Sequence, residues 1–385
     1  MKSKRLRKAE QLSSDRISIL PQPILETILC FLPTKQAART SILSREWRYK
    51  WTTIPKLEFS HTDYCVSVSE QTSDIASTRR NINARCVSCY DLHQILLLRQ
   101  ATINELKLIL PEDDCLELDQ IILHLSRNHA VKKLELFGWD LTSRWYKLPI
   151  SVFSFHHVTD LELCCVDIDH PPIFNGFGSL RNLCLRSVGI STKTLLHLLS
   201  NCPSLKSLSL FTSVMDFDDK CTVIELFKCL PVIEHLNTWL HVYWWLVVDS
   251  VQQELPTSLI HLKSFCFEEI CCVDGYGLAF LLVLIRCSPN LEKIKLENES
   301  DHYKECSIVW EEYSDVWLEH LNEVEIGCFS NTKREMEFVK FILARSPKLK
   351  KLSIYSIVRR NQESKMLKAL LQAPRVSPVV ITVRD

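Results

Sequence analysis

The chain has 385 residues, of which 46% are apolar and 24% are charged, a composition typical of a folded protein with a large core. Lys plus Arg balances Asp plus Glu at 46 each, which argues against a chain whose main partner is bulk nucleic acid. Only 7 residues are Gly, and the sequence contains no glycine-rich phosphate-loop motif, which weighs against nucleotide-binding folds.

Residues 1–14 are polar and basic, and we expect a disordered tail. Two interpretations stay open for its five basic residues, a solvated tail or a nuclear-import signal. No apolar segment of the kind found in signal peptides follows, and no run of 18 apolar residues occurs. We therefore expect a protein of the nucleus, the cytoplasm or both, with its 17 cysteines reduced.

Residues 15–59 predict a compact unit of three helices. Apolar side chains recur at helical spacing from Ile24 to Leu32, and Pro33 ends this first helix. About 40 helical residues cannot bury much apolar area by themselves. This unit must therefore pack on the rest of the chain or be completed by a partner protein.

The second and third helices each have a hydroxyl side chain at the start. Thr34 is expected to cap the second helix, and Ser44 is expected to cap the third. The third helix carries Trp47 and Trp51, which lie on one face because they are four residues apart.

After residue 59 the pattern weakens and then becomes periodic. Residues 60–99 form an irregular connector that ends in a helix near Asp91–Gln100. From residue 100 onward, the pattern L-x-x-L-x-L recurs ten times at steps of 22 to 30 residues. The copies begin at Ile103, Val131, Val158, Leu180, Leu205, Ile233, Leu262, Leu291, Leu321 and Leu349. Ten near-copies at this period indicate a leucine-rich-repeat solenoid, although Thr238 makes the sixth copy degenerate.

Each copy predicts a short strand whose closing L-x-L pair faces the core, because side chains alternate between faces. The residues between the paired Leu then lie on the concave face. Helices precede several strands and end at a Pro, often within the pattern [Cys/Ser]-Pro-x-Leu. The predicted fold class is α/β, with three N-terminal helices followed by a solenoid that has a concave parallel sheet and convex helices.

The helical unit at 15–59 resembles the plant F-box over about 45 residues. The resemblance is carried by Leu20-Pro21, the helix with Leu25, Ile28 and Leu29, Leu32-Pro33-Thr34-Lys35, the stretch 39–44, and the Trp47 and Trp51 pair. One position departs from the family, because Gln22 replaces the usual acidic residue. This departure is expected to soften the first helical turn.

The C-terminal residues 318–385 resemble the FBD domain that often follows F-boxes and leucine-rich repeats, through Leu321–Ile326, Glu335–Ala344 and Ala373–Pro378. The chain is therefore similar to plant F-box/FBD/leucine-rich-repeat proteins. The predicted division is a tail at 1–14, an F-box at 15–59, a connector at 60–99, repeats at 100–317 and an FBD domain at 318–385.

The resemblance implies that the F-box docks on a Skp-type adaptor and that the repeats hold a target protein. The predicted adaptor-binding residues are Leu20, Pro21, Ile24, Leu25, Ile28, Leu32, Pro33, Leu43, Trp47 and Trp51. Residues 1–60 carry 12 basic and 5 acidic side chains, and this excess of positive charge suits the acidic adaptor of the family.

The concave positions carry a mixture of acidic, neutral and basic residues and lack the run of Arg and Lys that phosphate tracking needs. A protein or peptide is thus the expected partner, without nucleic acid or membrane. The candidate target-binding residues are Glu135, Phe137, Glu162, Arg186, Phe211 and Trp239. Glu135 and Glu162 are expected to be replaceable without loss of folding, and the F-box is expected to act as a separate unit.

No metal site, cofactor or catalytic set is predicted. Cys86 and Cys89 have the spacing of half a zinc site, but no second pair follows at the right distance. The adjacent pairs Cys164-Cys165 and Cys271-Cys272 are interpreted as small apolar fillers whose side chains point to opposite faces.

The sequence thus predicts a non-enzymatic substrate-recognition subunit of a Skp–cullin–F-box ubiquitin ligase. Two hypotheses remain open beside it. The chain can serve as an interaction scaffold outside a ligase, or as a small-molecule receptor that uses the concave face of its repeats.

Overall fold

The computed structural model describes residues 16–59, 89–110, 115–138, 145–168, 176–211, 221–239, 246–247, 259–270, 276–298, 313, 315–358 and 360–384. The chain divides into two compact units, Met1–Asp167 and Ile168–Asp385. Each unit is built around a parallel sheet whose strands follow the predicted repeats.

The first unit begins with short helices and continues into strands. Its α-helices are α1 (Gln22–Cys30), α2 (Thr34–Arg39), α3 (Cys89–Leu98) and α4 (Leu116–Asn128). Its 3-10 helices are Thr40–Ile42, Trp47–Thr53 and Ile150–Ser154. Its strands are β1 (Lys56–Glu58), β2 (Glu105–Ile109), β3 (Lys133–Phe137), β4 (Tyr146–Lys147), β5 (Asp160–Cys164) and, at the unit boundary, β6 (Val166–Ile168).

Strands β1, β2, β3 and β5 lie side by side in that order, all parallel and without a register shift. This register stacks equivalent residues of successive repeats in rows. The row of central core residues is Leu57, Leu106, Leu134 and Leu161. All four side chains are buried, so each strand extends the core of the previous one.

The second unit repeats this arrangement more often. Its helices are α5 (Thr192–Ser200), α6 (Val223–Lys228), α7 (Tyr276–Cys287), α8 (Lys333–Arg345) and α9 (Arg360–Gln372). Its sheet contains β7 (Asn182–Arg186), β9 (Ser207–Phe211), β11 (His235–Trp239), β13 (Ser264–Ile270), β14 (Lys293–Asn298), β15 (Glu323–Phe329), β16 (Lys351–Ser356) and β17 (Val380–Arg384). The short strands β8 (Gly189–Ile190), β10 (Cys221–Thr222) and β12 (Leu246–Val247) lie outside that sheet.

The eight long strands of the second unit are parallel neighbours in chain order. The predicted α/β fold with a parallel repeat sheet is therefore confirmed. All ten sequence repeats form strands, and the degenerate copy does so as well because Thr238 is buried in the position of the missing Leu.

Two strands of the repeat sheets, β1 and β17, were not predicted, and both carry a variant of the repeat. At the end of the F-box, Ile54-x-x-Leu57-x-Phe59 has the repeat spacing, all three side chains are buried, and β1 contains the central Leu57. At the C-terminal end, the register pairs Leu352 with Ile381. The last copy is therefore Pro378-x-x-Ile381-x-Val383, which has Pro in place of the first Leu.

The helices of residues 16–59 differ from the prediction in two details. The third helix, Trp47–Thr53, is a 3-10 helix, although Ser44 does accept a hydrogen bond from the Trp47 N–H at 3.3 Å as expected. Thr34 does not cap α2. Its hydroxyl instead accepts a hydrogen bond from the Glu58 N–H at 2.8 Å, which ties α2 to β1.

The [Cys/Ser]-Pro pattern has a clear physical role at two helix ends. The Cys202 thiol donates to the Leu198 carbonyl at 3.2 Å, and the Ser288 hydroxyl donates to the Leu284 carbonyl at 2.7 Å. Both carbonyls belong to the last turn of a helix, where backbone N–H donors are scarce, although the Leu198 carbonyl also accepts from the Asn201 N–H at 3.3 Å. The side chain before the Pro therefore satisfies a buried acceptor.

We expect Ser288→Ala to lower the free energy of unfolding by about 1 kcal/mol, because the Leu284 carbonyl loses its buried donor. Ser288→Cys should be close to neutral, since Cys202 makes the same bond in another repeat. Urea unfolding of both variants measures the difference. Equal stability of Ser288→Ala and Ser288→Cys would contradict this role of the hydroxyl.

Position 138 requires glycine because its backbone lies directly against the turn that follows β5. A Cβ at this position would lie 1.9 Å from the Cys165 carbonyl oxygen. We expect Gly138→Ala to cost about 1–3 kcal/mol, because a backbone atom must move to relieve the clash. Gly178→Ala is the matched control, since a Cβ there meets nothing within 4 Å. Thermal melting should separate the two variants, and equal melting temperatures would refute the contact.

Candidate functional site

The F-box residues 16–59 are held together by a small aromatic and aliphatic core. Leu25 and Leu29 of α1 pack with Trp47, Trp51 and Ile54. All five side chains are buried. The Trp47 indole N–H also donates to the Ser18 hydroxyl at 2.6 Å, which fixes the segment before α1 against the 3-10 helix.

Gln22 links the first helix to the 3-10 helix. Its amide donates to the Thr53 hydroxyl at 2.9 Å and to the Glu26 carboxylate at 3.0 Å, and its carbonyl accepts from Lys50 at 3.0 Å. A carboxylate cannot donate to Thr53 or Glu26. Gln22 therefore makes donor contacts to Thr53 and Glu26 that the usual acidic residue of the family cannot make, while the softer first turn stays a prediction.

The surface of the F-box is unusually apolar. Ile42 is 87% exposed and Phe31 is 83% exposed, although both are large hydrophobic residues. The exposed apolar side chains of this segment are Ile17, Ile19, Ile24, Ile28, Phe31, Ile42, Leu43 and Tyr49. We call these eight residues the apolar F-box surface. So many exposed apolar groups within one short segment mark an interaction site.

The predicted adaptor-binding residues separate into three groups. Ile24, Ile28, Leu43 and Pro21 are exposed, so they remain available to a partner, whereas Leu20, Leu32 and Pro33 are half-buried. The prediction needs correction for the third group. Leu25, Trp47 and Trp51 are buried in the F-box core, so they support the surface and are not accessible for contact.

Phe31 and Ile42 were missed by sequence reasoning. Phe31 lies three residues after Ile28, so helical spacing places the two side chains on one face. The sequence could therefore have predicted Phe31 as a surface residue beside Ile28. Ile42 lies in a 3-10 turn, whose exposed side cannot be deduced from a helical repeat.

The F-box is not a separate unit from the first repeats, contrary to expectation. Strand β1 pairs with β2, and Ile95 of α3 packs against the F-box core. Arg99, which follows α3, donates to the carbonyls of Trp51 and Ile54. Burial lowers the pKa of the Arg99 guanidinium to about 10, so the group is still charged at neutral pH.

The open face of the first sheet carries a network of alternating charges. Glu135 on β3 lies 2.6 Å from Lys133 and 3.5 Å from Lys107 on β2. Lys107 also approaches Glu58 on β1 at 3.8 Å and lies 5.0 Å from the centre of the Phe137 ring. Glu58, Lys107, Lys133 and Glu135 line a pocket of about 180 Å³.

Glu135 is a structural member of this network as well as a candidate contact. Its side chain is only 13% exposed. Burial raises the pKa of the Glu135 carboxyl, but the hydrogen bonds and charges of Lys133 and Lys107 outweigh that effect and leave the pKa below its ordinary value. The premise that Glu135 is an exposed position is therefore wrong, and we now expect reversal of its charge to affect folding. Glu162 and Phe137 are half-buried on the same face.

In the second unit, Arg186 and Phe211 occupy paired positions of β7 and β9. The guanidinium carbon of Arg186 lies 5.0 Å from the ring centre of Phe211. Arg186 is exposed, but Phe211 is only 7% exposed, so its predicted role as a target contact is corrected to a platform for Arg186. The side chain of Trp239 lies outside the described part of the chain.

Two triads of charge strengthen the second sheet. Glu234 bridges Lys206 and Lys263 at 2.5 and 2.6 Å, and these hydrogen bonds lower the pKa of its carboxyl to about 2. Glu323 on β15 bridges Lys293 and Lys351 in the same way. Next to the first triad, the open-face positions Ser207, Ser209, Asn237 and Ser264 are polar and uncharged.

The described residues contain no cluster of three or more His, Cys, Asp or Glu side chains arranged to hold a metal ion. Cys86 lies outside the described residues, and so does the side chain of Cys89. Burial raises the pKa of the Cys202 and Cys266 thiols to about 11. Among the described helices, none has the length and apolar character needed to span a membrane.

Comparison with known families places three domains along the chain. The F-box domain model matches residues 17–59, the model of the leucine-rich repeats of FBD-associated F-box protein At5g56370 matches 119–237, and the FBD model matches 317–354. The F-box/FBD/LRR-repeat protein At1g13570 of Arabidopsis thaliana is 30% identical, over 95% of this chain and 97% of its own length.

The chain belongs to the F-box/FBD/LRR-repeat family. A second relative, the F-box/FBD/LRR-repeat protein At3g26920 of the same plant, is 24% identical over 92% of both chains. Among solved structures, an internalin of Listeria monocytogenes is similar over 81% of this chain and 88% of its own, at 13% identity and a TM-score of 0.36.

Membership in the F-box/FBD/LRR-repeat family assigns a general role. An F-box implies binding to Skp-type adaptors and, through them, to cullin complexes. F-box proteins with repeats are typically adaptor subunits of ubiquitin ligases and not enzymes.

We expect Glu135→Lys to lower the free energy of unfolding by about 1 kcal/mol, because it places a third cation between Lys107 and Lys133. The double change Glu135→Lys with Lys133→Glu should recover part of this loss.

The Glu135 carboxylate stabilises the fold above the ordinary carboxyl pKa, and this contribution disappears as the pH falls through the lowered pKa of the folded state. Glu135→Gln should therefore match the wild-type protein in acid. If Glu135→Lys and the wild-type protein unfolded identically at neutral pH, the charge network would not stabilise the fold.

Proposed function

We propose that this chain is the substrate-recognition subunit of a Skp–cullin–F-box ubiquitin ligase and that it holds a protein target on the open face of its repeat sheet. The observation that carries the proposal is the apolar F-box surface, which lies within the part of the chain that matches the F-box model. We further propose that it works in the nucleus or the cytoplasm.

The chemistry of the apolar F-box surface suits a permanent or tight partner. Ile42 and Leu43 are adjacent and both well exposed, and Phe31 adds a large aromatic side chain. Burial of one such side chain contributes about 1.5–3 kcal/mol. The surrounding exposed cations Lys35, Arg39 and Arg48 favour an acidic partner and raise the rate of encounter.

The open face of the sheets supports the second half of the proposal. Arg186 presents its guanidinium on the aromatic platform of Phe211, an arrangement that orders a charged group before any partner arrives. Glu135 and Glu162 are paired positions on neighbouring strands and contribute negative charge to the face of the first unit. Both groups are placed by rigid strands, which keeps the entropy cost of binding low.

A protein target fits the first sheet better than a small molecule does. The pocket on this face has about 180 Å³ and is lined by charged side chains. Drug-sized ligands occupy largely apolar pockets of about 300–1,000 Å³. We therefore favour a target with complementary charges that lies across several strands.

The proposed mechanism is proximity. The F-box binds the adaptor and the repeats hold the target, so the ubiquitin-carrying enzyme of the complex meets the target at a high local concentration. No side chain of this chain needs to contact the transferred ubiquitin.

The adaptor contact is tested by Ile42→Glu combined with Leu43→Glu. Both side chains are exposed, so folding should be unchanged, while adaptor binding should fall about 100-fold, since two large apolar contacts are lost and each 1.4 kcal/mol is about tenfold. The matched control is Ile150→Glu with Leu371→Glu, which removes two equally exposed apolar groups outside the F-box. The measurements are thermal melting and an adaptor pull-down.

Retained adaptor binding by the Ile42→Glu and Leu43→Glu variant would contradict the assigned surface. Loss of binding in the control would show that exposed apolar groups act without specificity. Adaptor binding without ubiquitination of any captured protein would instead favour a scaffold.

A further inference from the structure

We propose that Cys164 and Cys165 form a vicinal dithiol site that captures soft electrophiles able to bond two sulfur atoms at once, of which monosubstituted trivalent arsenicals are the best match. Their sulfur atoms lie 3.6 Å apart, and neither is disulfide bonded. The proposal is independent of the ligase function.

Adjacent residues of a regular strand cannot make this contact, because their side chains point to opposite faces. Here β5 ends at Cys164, and Cys165 adopts a left-handed backbone conformation with φ of 54°. This turn brings the two thiols to the same side of the chain. The sequence-based interpretation of the pair as fillers on opposite faces is therefore wrong.

Neighbouring backbone fixes the turn. The Gly138 N–H donates to the Cys164 carbonyl at 2.7 Å, and the Cys165 carbonyl lies where a Cβ of residue 138 would be. The two sulfur atoms are thus held close before any ligand arrives, which lowers the entropy cost of bidentate capture.

A disulfide is a poor product for this pair. Consecutive Cα atoms are about 3.8 Å apart, below the usual disulfide range of about 4.4–6.8 Å. Such a bond would be strained and easily reduced. The dithiol is therefore the resting form under reducing conditions. An arsenic atom inserted between the sulfurs adds one atom to the ring and removes this strain.

A divalent metal fits less well. Structural zinc needs four ligands, and no group of three suitable side chains exists among the described residues. A monosubstituted trivalent arsenical needs two thiolates only, because an organic group occupies its third bond.

The two thiols differ in accessibility, which suggests an order of attack. Cys164 is half-exposed on the open face of β5, whereas Cys165 is only 5% exposed. Cys164 attacks first and Cys165 closes the ring. With an arsenoxide, two S–H bonds and the arsenic–oxygen bond break and two arsenic–sulfur bonds form. One water molecule leaves, and no change of oxidation state is needed.

The test uses phenylarsine oxide on the full-length protein in which Cys86, Cys89, Cys271 and Cys272 are replaced by Ser, so that other closely spaced pairs are removed. Intact mass should show one phenylarsenic group per chain, with the loss of one water. Peptide mapping should place the group on the peptide that contains Cys164 and Cys165. Excess dithiol should remove it, and an equal concentration of a monothiol should not.

In that background, Cys164→Ser should reduce the amount of phenylarsenic adduct at least tenfold. Cys165→Ala should have the same effect, and Ala is chosen because its small apolar side chain suits a buried position. The matched control is Cys184→Ser, a half-buried cysteine at an open-face position of β7. The proposal would be overturned if the adduct persisted in Cys164→Ser or in Cys165→Ala. It would also be overturned if the folded protein that lacks only the four other cysteines formed no adduct. Thermal melting verifies that each variant is folded.

Discussion

The structure depends on the in-register parallel pairing of one short strand with the next. This pairing places Leu57, Leu106, Leu134 and Leu161 in one buried row of the first unit, and the second unit has an equivalent row. Since side chains alternate along a strand, the same register forces the remaining residues into rows on the open face. The core and the open face of the sheet are therefore set by one constraint.

The open-face rows explain the electrostatic pattern. Several acidic row positions form an ion pair with a basic neighbour on the next strand, as Glu135 does with Lys107 and Glu323 does with Lys351. Such charges are already paired within the sheet before any partner contacts the open face. A target of the kind proposed above has to compete with these pairs, which favours specificity over raw affinity.

The F-box shares this constraint through β1. Its last residues supply a strand to the sheet of the first unit, and Arg99 bonds two carbonyls at the end of the 3-10 helix. The helices of the F-box are thus joined to the first repeats by backbone pairing. A small helical unit that cannot bury enough area by itself gains its stability from this continuation.

Much of the fold was predictable because the repeat is a local pattern. The ten strands, the helices that end at Pro203, Pro289 and Pro347, and the hydrogen bond from the Trp47 N–H to the Ser44 hydroxyl all follow from spacing and turn chemistry. Strand β17 was missed because its copy begins with Pro378 instead of an aliphatic residue.

The site was less predictable because it depends on which face of each element is covered. Trp47 and Trp51 have the spacing of a surface pair, yet tertiary contacts bury both. The contact between Cys164 and Cys165 depends on a single left-handed residue, which no repeat pattern indicates.

The F-box and the first repeats should unfold as one cooperative structure, because β1 joins them. Native-state hydrogen exchange of the Leu106→Ala variant measures this cooperativity. The substitution lies in β2, outside the F-box, and should cost about 2–5 kcal/mol. We expect the most protected amides of α1 to lose the same free energy of protection as those of β2 and β3. Unchanged protection in α1 would show that the F-box unfolds independently of the repeats.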